Sequence, residues 1–269
     1  KDGGIDGNYH IYTNQGTVLR VNKFVNTDLP EAGVINLADL NGENGFRLDG
    51  ANYDHSGFSV SGAGDINGDG FDDVIIGSRN HPTYVVFGQA SGFESTMNLS
   101  SLHGSNGFRL NGDGHSGWSV SSAGDINADG FDDLIIGVSD PHLNENFSGS
   151  SYVVFGKNSG FDATMDLSSL DGNNGFRLDG VDQFDRSGDS VSGAGDVNGD
   201  GFDDVLIGAY SADPLGDYSG SSYVVFGKAS GFDATMDLSS IDGNNGFRLD
   251  GGVSEGGGRS VSNAVDVNG

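Results

Sequence analysis

The feature that most constrains the fold is an internal repeat with a period of 60 to 71 residues. Three short patterns recur in the same order. An acidic loop with the pattern D-x-N-x-D-G-F-x-D begins at Asp65, Asp125 and Asp196, and a truncated copy begins at Asp266. YVVFG begins at Tyr84, Tyr152 and Tyr223, and NGFRLDG or NGFRLNG begins at Asn44, Asn106, Asn174 and Asn245. The unit exceeds a leucine-rich or ankyrin repeat, so each copy is expected to form a small sheet.

Each unit contains four short segments rich in Val, Ile, Phe and Tyr, separated by Gly, Asn, Asp and Ser. Such segments predict β-strands joined by turns. No segment of helical periodicity is long enough to predict an α-helix, and the spacers TMDLSSL and TMDLSSI, from Thr164 and Thr235, have room for a single turn. The sequence therefore predicts an all-β chain, a β-propeller of four-stranded antiparallel blades. A two-domain β-sandwich is the competing architecture, but it would not require the same strand order three times.

Three blades are complete in the sequence, and a partial blade lies at each end. The N-terminal piece resembles the last two strands of a blade, Thr17 to Val21 and Phe46 to Asp49, and the C-terminal piece holds a first strand, Ser260 to Val265. We divide the chain into an N-terminal partial blade and lead-in at residues 1–45 and repeats at residues 46–269. Three closures are open: a shared fourth blade, a ring of two chains, or a longer array. The last is favoured, because the sequence stops inside an acidic loop.

The acidic loops predict three bound cations. The oxygen donors are the side chains at positions 1, 3, 5 and 9 of each loop and the backbone carbonyl at position 7. The sets are Asp65, Asn67, Asp69, Phe71 and Asp73; Asp125, Asn127, Asp129, Phe131 and Asp133; Asp196, Asn198, Asp200, Phe202 and Asp204; and, in the truncated copy, Asp266 and Asn268. Six to eight oxygens around a sharp glycine turn suit Ca²⁺ better than Mg²⁺, which requires a tight octahedron. Zn²⁺ and copper would require His or Cys, and the loops contain neither.

An EF-hand begins with a similar pattern, but its twelfth position is a bidentate Glu. Here that position is Ile76, Ile136 or Ile207, inside a β-branched run that predicts a strand. The other reading is a set of metal-free Asx-turns in tight hairpins, where Asp, Asn and Gly are common. Three copies with the same ligand types favour the metal.

These loops, at their spacing, resemble FG-GAP repeats, the Ca²⁺-binding blades of integrin α-subunit propellers and of bacterial surface proteins. The resemblance covers about residues 46–269. It departs from the family at Ser56-Gly57, Ser116-Gly117 and Ser187-Gly188, where the family has Phe-Gly, and no Pro follows Gly77, Gly137 or Gly208. The resemblance implies that the chain is part of a larger ring, since members usually close seven blades. The departures weaken an inference to integrin-like ligand recognition but leave the Ca²⁺ ligands in place.

A loop that offers about six of its own oxygens leaves little room for substrate, so the ion is expected to be structural. Extracellular Ca²⁺ sites commonly bind the ion with millimolar to submillimolar affinity, which suits surroundings where Ca²⁺ is plentiful. A structural Ca²⁺ ion therefore predicts an extracellular or cell-surface location. No catalytic motif is present, and the chain is predicted not to be an enzyme. The formal charge of −27 opposes binding to nucleic acid, and no apolar stretch is long enough for membrane insertion.

The connections between the second and third strands vary most between copies: residues 78–83, 138–151 and 209–222. In a propeller they lie on the face opposite the acidic loops, and variable loops on rigid blades are where ligands usually bind. The candidate ligand residues are Trp118, His142, Phe147, Tyr210 and Tyr218. We expect a structural or adhesive module of a larger surface protein or assembly that binds a protein or glycan ligand, with self-assembly possible in principle. The alternatives are a carbohydrate-binding propeller and an accessory domain of a secreted enzyme.

Overall fold

The computed structural model describes residues 36–79, 82–112, 116–139 and 148–263, and the backbone of residues 10–14 and 17–21. Its strands, in chain order, are β1 (His10–Asn14), β2 (Thr17–Val21), β3 (Phe46–Asp49), β4 (Ser56–Gly64), β5 (Asp73–Ser78), β6 (Thr83–Val86), β7 (Thr96–Asn98), β8 (Gly107–Asn111), β9 (Ser119–Gly124), β10 (Asp133–Val138), β11 (Ser150–Val154), β12 (Thr164–Asp166), β13 (Gly175–Asp179), β14 (Ser187–Gly195), β15 (Asp204–Ala209), β16 (Ser221–Val225), β17 (Thr235–Asp237) and β18 (Gly246–Asp250). Short 3₁₀ turns occupy Leu37–Asp39, Leu99–Ser101, Leu167–Ser169 and Leu238–Ser240. No helix among the described residues could span a membrane.

The strands form the predicted all-β propeller blades. Blade 1 contains β4, β5, β6 and β8, blade 2 contains β9, β10, β11 and β13, and blade 3 contains β14, β15, β16 and β18. Within each blade, consecutive neighbours are antiparallel. The acidic loop joins the first two strands, so it lies at the opposite end of the blade from the connection between the second and third strands. We call the end with these latter connections the loop face.

The partial ends differ from the sequence prediction. The N-terminal sheet has three antiparallel strands, β1, β2 and β3, where two were predicted. They correspond to strands two to four of a blade. At the other end, residues 260–263 of the predicted Ser260 to Val265 strand are not assigned as a strand, and residues 264–269 lie outside the described part. The proposed division of the chain at residue 45 stays a prediction.

The spacers between the third and fourth strands do more than make a turn. Each begins with a three-residue strand that crosses to the preceding sheet and pairs in parallel with its last strand: β7 with β3, β12 with β8 and β17 with β13. A 3₁₀ turn follows each crossing strand. Each repeat therefore contributes an edge strand to the sheet before it.

The core lies between neighbouring sheets. The second strand of each blade lies inside its sheet, and in blades 1 and 2 it has a described sheet on both sides, so the run is apolar without alternation, as in VIIG and LIIG; VLIG of blade 3 follows the same pattern. The glycine that ends each of these runs permits close contact with the next copy. A Cβ at Gly137 would lie 2.0 Å from the carbonyl oxygen of Gly188, in the first strand of the next blade.

Candidate metal centre and loop face

The acidic loops have the same internal hydrogen bonds in all three copies. In the second loop, the Asp125 carboxylate accepts the N–H groups of Asp129 at 3.0 Å and Gly130 at 2.9 Å. The Asn127 side-chain oxygen accepts the same Asp129 N–H at 2.8 Å, and Asp129 accepts the N–H of Phe131 at 3.0 Å. The equivalent bonds in the other two loops measure between 2.8 and 3.0 Å. Oxygens of positions 1 and 3 therefore lie side by side, around one backbone N–H.

The carboxylate at position 9 is buried in every loop. Asp73, Asp133 and Asp204 are 1%, 0% and 0% exposed. Asp133 accepts the N–H of Ile126 at 3.0 Å within the loop and the N–H of Gly156 at 2.8 Å beyond the third strand. The same two bonds recur in the first and third blades. Position 9 thus ties the acidic loop to the end of the third strand of its own blade.

Burial and crowding oppose the ionisation of these carboxylates. Burial, with a smaller contribution from the charges of Asp129 and Asp125, raises the pKa of Asp133 to about 8, although the hydrogen bonds from Gly156 and Ile126 act in the opposite direction. The same causes raise the pKa of Asp73 to about 7. The ion pairs of the described residues join strand arginines to strand aspartates, and none of them reaches an acidic loop. Within the described part of the chain, therefore, no lysine or arginine side chain neutralises the carboxylates of the acidic loops.

The donor set fits a hard cation in kind, since every predicted donor is oxygen. Within the described part of the chain, no group of three or more His, Cys, Asp or Glu side chains is arranged as a metal cluster. The predicted sets also use an Asn oxygen and a backbone carbonyl. The phenylalanine at position 7 is 41% exposed in the first loop and half-buried in the other two. Asp266 and Asn268 lie outside the described residues.

The aspartate at position 8 was missed by the sequence analysis. Asp132 accepts the N–H of Asp65, in the preceding loop, at 2.8 Å, and its own N–H donates to the Asp65 carbonyl at 3.3 Å. Asp203 makes the same pair of bonds to Asp125, at 2.9 and 3.2 Å. The equivalent Asp72 is exposed and makes no such bond to a described residue. The recurrence of FDD in all three loops was the available signal.

On the loop face, arginines cover aromatic rings at two junctions between repeats. The Arg79 guanidinium lies 5.2 Å from the Trp118 ring centre and 5.9 Å from that of Phe58. Arg186 lies 5.6 Å from the Tyr210 ring and donates to its hydroxyl at 2.7 Å, and Arg259 lies 5.8 Å from the same ring.

Of the other candidates for ligand binding, Tyr218 is 66% exposed, whereas His142 and Phe147 lie outside the described residues. The sequence analysis missed the arginine partners of Trp118 and Tyr210.

Comparison with known proteins identifies the repeat. Residues 56–92, 116–154 and 187–225 match the FG-GAP repeat. The chain is 33% identical to integrin alpha-5 of Xenopus laevis over 176 residues, which is 61% of this chain and 15% of that protein. It is 30% identical to integrin alpha pat-2 of Caenorhabditis elegans over 59% of this chain and 13% of that protein, and 30% identical to integrin alpha-V of Gallus gallus over 66% and 16%.

The chain spans about one seventh of the length of these relatives. The matched segments include the three acidic loops and the strands on either side of them. The FG-GAP repeat is not a catalytic domain, in agreement with the sequence prediction that the chain is not an enzyme.

Proposed function

Because the chain carries three FG-GAP repeats of the integrin-α-like type, we propose that it is an extracellular, calcium-stabilised module that binds a protein ligand on its loop face. It would serve an adhesive role within a larger cell-surface protein or assembly. The observation that carries the proposal is the recurrence of three acidic loops with the same donors and the same internal bonds. None of the three is neutralised by a basic side chain of the described residues.

Calcium would be held by the side chains at positions 1, 3, 5 and 9 and the carbonyl at position 7. The loop already directs backbone N–H groups at these carboxylates, but such dipoles offset only part of the charge. Of the donors, the carboxylate at position 9 most needs a neighbouring positive charge, since burial disfavours its ionised form. A bound divalent cation supplies the missing positive charge and cross-links the loop. The blade residues position the donors through the bonds from position 9 to the loop and to the third strand.

The proposed ions can be counted by calorimetric titration of the chelator-treated protein with Ca²⁺. We expect at least three sites per chain and a higher melting temperature in Ca²⁺ than in excess EGTA. Asp129→Ala removes a position 5 donor and should eliminate one site. Asp72→Ala is the matched control, because Asp72 is exposed, lies in an acidic loop and is not a predicted donor. Absence of binding heat together with equal melting temperatures in Ca²⁺ and EGTA would refute the calcium proposal.

The proposed ligand site is supported by the arginine and aromatic pairs of the loop face. The chain contains only 12 Lys and Arg residues against 39 Asp and Glu, so arginines gathered at one end are unusual in this molecule. Arginine and aromatic side chains are also the residues enriched in protein interfaces. The pairs differ between junctions: Arg79 covers Trp118 at one, whereas Ser139 hydrogen-bonds Asp189 at the next. This variation favours a protein ligand over a glycan read by aromatic pockets that repeat from blade to blade.

The ligand class can be tested by screening the labelled protein on an array of extracellular proteins and on a glycan array. We expect binding on the protein array, and Arg79→Ala should weaken it about tenfold, the effect of losing roughly 1.4 kcal/mol. Arg47→Ala is the matched control, since Arg47 lies on β3 and pairs with Asp49 away from these rings. Binding confined to the glycan array would replace this proposal with the carbohydrate-binding alternative.

A further inference from the structure

The second 3₁₀ turn carries a sequence that its counterparts lack. Each of the four turns follows an asparagine or an aspartate: Asn36, Asn98, Asp166 and Asp237. In the first turn the residue two positions later is alanine, and the third and fourth turns begin with aspartate. The second turn alone therefore reads Asn-x-Ser, as Asn98-Leu99-Ser100. Asn-x-Ser, where x is not proline, is the acceptor sequence for N-linked glycosylation.

The fold exposes the position that Asn98 occupies. Asn98 ends the crossing strand β7, which forms the outer edge of its sheet, as β12 and β17 form the outer edges of the next two sheets. Asp166 and Asp237 hold the same position in those strands, and both are exposed, as is Asn98. Asp166 lies at the edge of blade 1, with described repeats before and after it. The exposure therefore belongs to this position in every repeat.

The acceptor sequence alternates between solvent and core. Leu99 is 0% exposed and packs in the cluster that contains Phe46 and Leu48 of β3. Asn98 and Ser100, on either side of it, are exposed. A group attached to the Asn98 side chain can therefore extend into solvent while Leu99 keeps the turn anchored in the core. This is the surface placement that a bulky, hydrophilic glycan requires.

The hydrogen bonds of Asn98 use its oxygen atoms. The side-chain oxygen accepts the Ser100 N–H at 2.9 Å and the Ser100 hydroxyl at 2.6 Å. The backbone carbonyl accepts the Ser101 hydroxyl at 2.7 Å. No described residue accepts a hydrogen bond from the Asn98 amide nitrogen, whereas that of Asn111 donates to Asp166 at 3.1 Å. The atom to which a sugar is attached is thus the atom that the turn does not use.

The turn itself does not require an asparagine. Asp237 caps the fourth turn in the same way, by accepting the Ser239 N–H at 2.8 Å. The third turn forms although Asp166 makes no side-chain cap. An aspartate would therefore meet the needs of the fold at position 98, and the amide nitrogen is left without a structural role.

We propose that Asn98 is an acceptor for N-linked glycosylation, an inference that rests on the extracellular location in the proposed function. In the transfer, the Asn98 amide nitrogen forms a bond to the anomeric carbon of an oligosaccharide carried on a lipid pyrophosphate. The bond from that carbon to the pyrophosphate oxygen breaks, the lipid pyrophosphate leaves, and the amide gives up one proton. The glycan stands at the outer edge of its sheet, whereas Trp118 precedes β9, at the opposite edge of blade 2. The proposed ligand site on the loop face therefore stays accessible.

The test is secretion of the whole chain, behind an added signal peptide, from a eukaryotic cell that performs N-glycosylation. Enzymatic release of the glycan converts the modified amide to a carboxylate, so peptide mass mapping reads residue 98 directly and separates it from the other Asn-x-Ser sequence, at Asn146 outside the described residues. We expect a glycan at Asn98 and its loss in Ser100→Ala. Ser101→Ala is the matched control, because it also removes a hydroxyl that bonds to Asn98 but lies outside the acceptor sequence.

Two further variants separate the glycan from the cap. Asn98→Asp should lose the glycan and keep the cap, so it should melt at the same temperature as enzymatically deglycosylated wild type. Asp237→Asn should gain a glycan, because it completes an acceptor sequence at the same exposed position of the fourth turn.

An unmodified Asn98 in secreted wild-type chain that is folded by circular dichroism would overturn the proposal. Equal glycan occupancy in Ser100→Ala and wild type would overturn it too. The added signal peptide imposes secretion, so the mapping does not depend on calcium binding or on a protein ligand. Failure of the proposed function would appear in the calcium titration and the protein array, and failure of this inference would appear only at residue 98.

Discussion

The bridge between neighbouring acidic loops gives a prediction with an internal control. In Asp203→Ala, the second loop loses the carboxylate that accepts the Asp125 N–H at 2.9 Å. The bond from the Asp203 N–H to the Asp125 carbonyl is a backbone bond and survives the substitution. Asp72→Ala changes the same loop position in the first repeat, where the carboxylate is exposed. The two variants remove the same atoms and differ in one interblade hydrogen bond.

The magnitude follows from the chemistry of that bond. A hydrogen bond to a charged group contributes about 1.5–3 kcal/mol. Here the Asp203 carboxylate is only half-buried, so solvent screens the bond and reduces the gain. A net loss of about 1–2 kcal/mol is therefore expected for Asp203→Ala, and less than about 0.5 kcal/mol for Asp72→Ala.

The assay is thermal unfolding of both variants and the wild type in Ca²⁺, followed by circular dichroism. For a domain of this size, 1 kcal/mol shifts the melting temperature by about 2–4 °C, so Asp203→Ala should melt about 2–8 °C lower and Asp72→Ala within about 2 °C of wild type. Dilute protein at a fixed concentration keeps self-association from contributing. Equal shifts in the two variants would refute the reasoning, because the loss would then come from the loop itself rather than from the interblade bond.

Three further predictions concern single side chains, each measured against a reference protein. Phe176→Ala should destabilise the protein by about 3–5 kcal/mol, because the buried Phe176 ring stacks on that of Phe232 at 4.6 Å. Phe247→Ala should cost less than half of that free energy, because Phe247 is only half-buried. Chemical denaturation measures both losses. Gly137→Ala should be strongly destabilising, since its Cβ would lie 2.0 Å from a backbone oxygen, while Gly62→Ala, with nothing within 4 Å, should melt near wild type. Burial raises the pKa of Asp185 to about 6, above the usual value near 4. Between about pH 4 and pH 6 the unfolded chain therefore loses the Asp185 proton while the folded protein keeps it, so the wild type loses stability as the pH rises through this interval. The stability of an Asp185→Asn variant relative to wild type should rise over that interval and stay constant above it, as measured by melting at each pH.

The blades could be predicted from the sequence because their signals are local and repeated. VIIG, LIIG and VLIG are apolar runs between turn residues, and the order of four strands recurs three times. The N-terminal sheet was predicted less well, since β1 (HIYTN) has no close copy elsewhere in the chain. Self-comparison therefore offered no support for it, and only its antiparallel pairing with β2 identifies it as a strand.

The contacts between repeats could not be predicted in the same way. A three-residue strand such as Thr164–Asp166 is too short to show a period, and its partner lies more than 50 residues earlier in the chain. Asp132 presents the same difficulty. In sequence it is one more carboxylate in a crowded loop, and its role depends on an N–H of the preceding repeat, Asp65. The role of position 9 could be predicted in part. Its burial follows from the strand that it begins, but its hydrogen bond to the end of the third strand could not be predicted from the sequence.

Positions 8 and 9 of the acidic loop divide the structural role between them. Position 9 joins the loop to the third strand of its own blade, as Asp133 does to Gly156, and position 8 joins it to the preceding loop, as Asp132 does to Asp65. Both act by accepting backbone N–H groups, so both are needed in the charged form that accepts best. That requirement concentrates negative charge where the described residues supply no basic partner. A cation bound in the loop would favour the ionised form of both carboxylates, so the proposed calcium site would support the bond within the blade directly, through position 9, and the bond to the preceding loop indirectly, through position 8.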